Sequence, residues 1–81
     1  MNLDQAQQLA EVLMYRHGLL DKGWYFEFDT AKRRFGVCRY RKRVIGLSAP
    51  LTQANDEARV KDTILHEIAH ALTPGHGHDS V

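Results

Sequence analysis

Asp62-Thr63-Ile64-Leu65-His66-Glu67-Ile68-Ala69-His70-Ala71-Leu72 carries two histidines four positions apart, with a glutamate directly after the first. Val60, Ile64, Ile68 and Leu72 recur through it at helical spacing, with Leu65 and Ala71 beside them, which predicts an amphipathic helix. Asn55 reads as its N-cap, and Asp56 and Glu57 fall in the first turn, where the helix dipole favours acids. Pro74 and Gly75 predict an end near Thr73, because neither continues a helix easily. On that helix His66 and His70 lie on one face, one turn apart, so both imidazoles can reach a single cation.

The spacing has a mechanism behind it. Zinc takes histidine nitrogen at about 2.0–2.1 Å and favours tetrahedral sites. In the His-Glu-x-x-His arrangement of metalloproteases the glutamate does not bind metal. Glu67 is therefore the candidate general base, taking a proton from the attacking water and passing it to the leaving amine. A catalytic zinc site needs three protein ligands and one open position. His66 and His70 supply two. His76, His78 and Asp79 follow the helix as candidates for the third, and Gly75 and Gly77 let the chain turn back toward it.

Upstream, Ala6, Leu9, Ala10, Leu13 and His17 share helical spacing, which predicts a helix from about Asn2 to His17, capped by Asn2 and ended by Gly18. Trp24, Phe26 and Phe28 alternate with Tyr25, Glu27 and Asp29, the pattern of a half-buried strand. Arg34 to Tyr40 reads as a second strand, with Phe35 and Val37 on one face. Gly36 marks a bulge or a close backbone approach. Arg43 to Ser48 reads as a third strand. Short connections favour an antiparallel meander. Ala49-Pro50 breaks the pattern, and a loop is expected to about Ala54. Helix, three strands and helix make the class α+β.

The chain has 81 residues, 43% of them apolar and 26% charged, so a single folded domain over residues 1–81 is expected rather than a disordered chain. One cysteine, Cys38, excludes an intrachain disulfide and reads as a small buried residue. The polar N-terminus lacks the pattern of a signal peptide, and no apolar run approaches a membrane span, so a cytoplasmic location is the default reading. A net charge of +1 predicts no partner by itself.

Basic residues nevertheless crowd between Lys32 and Arg43. That stretch is a candidate contact for a DNA backbone. The blander reading is a solvated sheet edge protected by charge. Trp24, Phe26 and Phe28 read as core, and His17 as structural. Tyr15, Tyr25 and Tyr40 are candidate oxyanion donors, and the sequence does not choose among them.

Trp24-Tyr25-Phe26-Glu27-Phe28-Asp29, Arg34-Phe35-Gly36-Val37-Cys38, Ile45-Gly46-Leu47-Ser48 and the helix through His66-Glu67-Ile68-Ala69-His70 follow one another as in the SprT-like metallopeptidases. The resemblance covers about residues 20 to 81 and is to the short phage or bacterial type. It implies a minimal zincin-like core, bound zinc, His66 and His70 as ligands, Glu67 as general base, and a protein or peptide substrate. Better-known members act on DNA-associated proteins. The family places an aromatic residue four positions after its third histidine. His76 would put that position at Ser80, so the resemblance favours His78 as third ligand. Members usually continue into a further helix and often a zinc ribbon, so residues 1–81 are expected to be a form lacking those C-terminal elements. The competing expectation is a zinc-stabilised module that binds nucleic acid or protein without turnover.

Overall fold

The computed structural model describes residues 1–73, so the expectations placed on His76, His78 and Asp79 fall outside the described residues. Helix α1 spans Leu3–Arg16 and begins where expected: the Asn2 side chain accepts from the amides of Asp4 and Gln5 at 2.7 and 3.2 Å. It buries Ala6, Ala10, Leu13 and Met14. Gly18, at φ +76°, turns the chain out of the helix in the left-handed region that glycine tolerates. A short 3-10 turn, Leu20–Lys22, then leads into the sheet.

Strand β1 spans Tyr25–Asp29, β2 Gly36–Arg39 and β3 Val44–Ser48. The expected antiparallel meander is corrected. The order is β1-β3-β2, with β1 parallel and β2 antiparallel to β3, so the sheet is mixed. The reason lies in the residues. Every residue of β3 is buried, whereas β1 exposes Tyr25 and Glu27 and β2, buried over Gly36 to Cys38, exposes Arg39. A strand buried on both faces belongs in the centre, and an alternating one at an edge. The connection from β1 to β2 must then cross the end of β3, and it is fastened there. Ser48 Oγ donates to the Ala31 carbonyl at 2.5 Å, and Ser48 N to the Phe35 carbonyl at 2.8 Å.

Two further local expectations are revised. Residues expected as a loop form a short helix α2, Ala49–Gln53. Pro50 sits in its first turn, where a missing N–H costs nothing, and Ser48 Oγ caps it by accepting from Leu51 N at 3.1 Å. The last helix, α3, spans Glu57–Leu72 and is capped by Asp56, not Asn55. Asp56 accepts from Arg59 N at 3.0 Å, while the Asn55 amide donates to the Leu51 carbonyl.

Helices α1 and α3 lie on one face of the sheet, α1 against β1 and α3 against β2 and β3. The core between the layers joins Ala10, Leu13 and Met14 to Phe26, Cys38, Ile45 and Leu47, and to Val60, Ile64 and Ile68. Cys38 is buried, as expected. Leu72 is not on the buried stripe; it is exposed at the last turn. Among the described residues, no helix is long and apolar enough to cross a membrane.

Candidate metal and catalytic site

The apolar stripe of α3 decides where its polar residues go. Val60, Ile64, Ile68 and Ala71 face the core, which turns His66 and His70 outward. Both histidines are exposed, and their Nε2 atoms approach to 3.1 Å with the rings nearly perpendicular. Two bonds of about 2.0–2.1 Å at a tetrahedral ion set ligand nitrogens roughly 3.3–3.4 Å apart. The pair thus already has nearly the bite that one ion requires. Neutral imidazole suits zinc and similar borderline metals. Among the described residues, no group of three or more histidine, cysteine, aspartate or glutamate side chains comes together. Among the described residues, the pair supplies two donors.

Glu67 turns inward, into the seam between α3 and β2. It is only 6% exposed. Burial raises its pKa above the ordinary carboxylate value, and the nearby charges of His66, His70 and Arg34 oppose that rise. A carboxylate held between these influences is suited to accept a proton and give it back.

Gly36 makes the seam possible. A Cβ built on it would lie 2.9 Å from Thr63 Cγ2, 3.0 Å from Glu67 Cγ and 3.2 Å from Glu67 Oε2. Of the two meanings that a glycine in a strand carries, close backbone approach is the one realised here. Phe35 and Gly36 form one wall of a groove of about 680 Å³, and Arg59, Asp62, Thr63, His66 and Glu67 form the other. The expected donor, base and strand glycine therefore meet at a single cleft.

These features belong to one family pattern, since residues 5–80 match the model of the SprT-like family. The chain belongs to the SprT-like family. No curated protein and no solved structure matches it. The remaining neighbours of this SprT-like site were not legible as such. Tyr40 follows β2, and its hydroxyl donates to the carbonyl of His70, with Thr73 O at 3.4 Å as a second acceptor. Tyr15 and Tyr25 are exposed elsewhere. Arg34 reaches the neighbourhood of Glu67 while paired to Asp29 at 2.5 Å. Their links to α3 bridge 30 and more positions of chain, and no local pattern in the sequence signals them.

The basic stretch does not form one cluster in this SprT-like fold. Lys32 and Arg33 lie on the β1–β2 connection, and Arg41 and Lys42 on the β2–β3 turn, at opposite ends of β2. Two of its members serve the fold: Arg34 pairs with Asp29, and Arg43 donates to the Lys22 carbonyl at 2.7 Å.

Proposed function

We propose that this protein hydrolyses peptide bonds with the help of a zinc ion held by His66, His70 and His78. The observation that carries the reading is the arrangement on α3: two outward imidazoles with Nε2 atoms 3.1 Å apart, and beside them a carboxylate buried in a cleft. When bound, zinc supplies Lewis acidity for a carbonyl oxygen and a nucleophile at neutral pH. His66 and His70 would hold that ion on the outward face of α3, with Glu67 next to His66 in the groove. The Glu67 carboxylate takes the proton of the attacking water and returns it to the departing amine nitrogen. Burial in the seam keeps Glu67 poorly solvated, which strengthens it as an acceptor. β2 lies at the edge of the sheet and walls the cleft. An extended peptide laid along it would be held by backbone hydrogen bonds, a mode that needs little side-chain identity.

A zinc-stabilised binding module without turnover is the other reading. Burying an ionisable side chain costs stability, and a module without turnover gains nothing from Glu67 in its seam. The exposed basic side chains at the ends of β2 offer contacts to a polyanion such as DNA, and they are compatible with either reading. Glu67→Gln separates the two. It should retain stoichiometric zinc while losing cleavage of an unfolded protein such as casein, and His66→Ala should lose both. A Glu67→Gln protein that cleaves as fast as the parent would overturn the assignment.

A further inference from the structure

The groove does not stop at His66 and Glu67. It continues along α3 toward the helix N-terminus, past Thr63 and Asp62 to Arg59, with Phe35 on the opposite wall. Arg59 and Asp62 are both exposed there, and neither forms an ion pair among the described residues. Arg59 is held in place by an aromatic surface, its guanidinium carbon 5.8 Å from the centre of the Phe35 ring. One wall of the cleft thus presents two charges of opposite sign in series, neither of them in an ion pair among the described residues.

Their spacing matches an extended chain. A helix rises about 1.5 Å per residue, which sets Asp62 about 6 Å and Arg59 about 10.5 Å along the axis from His66. An extended peptide advances about 3.3 Å per residue. Counted from a scissile bond at His66, the second residue falls near Asp62 and the third near Arg59. We propose that Arg59 is a specificity residue that reads peptide charge. Arg59 selects an acidic side chain about three residues from the bond that is cut, while the second side chain of an extended peptide points to the opposite face, away from Asp62. This rests on the peptidase reading above and gives its substrate a class: a peptide with an acidic side chain at a set distance, on the one side of the cut that overlies the start of α3.

The test is cleavage of a peptide library made from a tryptic or chymotryptic proteome digest, with every cut mapped by mass spectrometry. The zinc-loaded parent should enrich Asp and Glu at the third position on one side of the cut, by about fivefold, in keeping with a solvent-exposed charge contact. Arg59→Lys should keep that preference. Arg59→Gln should lose it, and Arg59→Glu should replace it with Lys and Arg. Flat profiles, or profiles unchanged by Arg59→Glu while cleavage persists, would overturn the proposal. A second measurement does not need turnover: fluorescence polarisation of Glu67→Gln with two labelled polyalanine-based peptides, one carrying Glu and one Lys at the third position. The Glu peptide should bind more tightly, and Arg59→Glu should invert the order. Absence of cleavage together with that inverted binding would sink the peptidase reading and leave the charge-reading groove standing; equal binding of both peptides would sink the groove.

Discussion

Gly36 and Glu67 occupy the same seam from opposite walls: the Cβ that glycine lacks would lie 3.0 Å from Glu67 Cγ. Strand β2 and helix α3 can approach this closely only because position 36 has no side chain. Gly36→Ala should therefore force β2 away from α3, at about 1–3 kcal/mol as for overpacking in a tight interior. The other near atom is Thr63 Cγ2 at 2.9 Å. Thr63→Ser removes that methyl, so the double variant should recover part of the loss. Urea midpoints of the four proteins in a double-mutant cycle check this, and strictly additive losses would contradict the shared seam.

Glu67 should make the metal-free protein sensitive to pH. Burial raises its folded pKa above the unfolded value. For such a group the stabilising contribution is complete below the unfolded value and disappears as pH rises through the folded one. Each unit of displacement corresponds to about 1.4 kcal/mol. With chelator present, Glu67→Gln should match the parent near pH 4 and become progressively more stable than it toward neutral pH, then level off. Thermal melts of the pair across that range read the difference directly. Parallel curves would mean that Glu67 is not buried as described.

Tyr40 links the end of β2 to the last turn of α3 through the carbonyl of His70. Its ring packs edge-on against Trp24, with centroids 5.9 Å apart. Tyr40→Phe keeps that packing and deletes only the hydroxyl. The expected effect is a loss of about 1 kcal/mol in stability. Zinc affinity should fall by about tenfold as His70 loses its anchor. Chelator competition separates the two effects, and a stability loss with unchanged zinc affinity would make Tyr40 purely structural.

The third ligand is an expectation from the family resemblance and lies beyond the described residues. His78→Ala should weaken zinc binding strongly and His76→Ala only slightly. Metal content after dialysis against a weak chelator measures both. The reverse order would move the assignment to His76.

Much of the site was legible in the chain because its parts are local. His66, Glu67 and His70 sit within five positions, so the helical repeat alone orients them relative to one another. Asn2 was legible as a cap for the same reason, since an N-cap bonds only to the next few amides. Strand order was not. Short connections argued for neighbours in sequence pairing with each other, but burial of all five β3 residues pulls that strand to the centre. The Asp56 cap and helix α2 were missed by smaller margins, where two adjacent polar residues compete for one role and Pro50 starts a helix instead of ending a strand.

By itself the sequence determined that α3 would carry two histidines outward on one face, with a glutamate beside them, because period and polarity settle which way each side chain turns. Only the tertiary structure decided that Glu67 would be buried, that Gly36 would be its neighbour, and that Tyr40 and Arg34 would reach the same helix. Those relations join residues some 30 positions apart. They depend on β3 being inserted between β1 and β2, and that order follows from which strand can be buried on both faces, a property of the assembled sheet and not of any one segment.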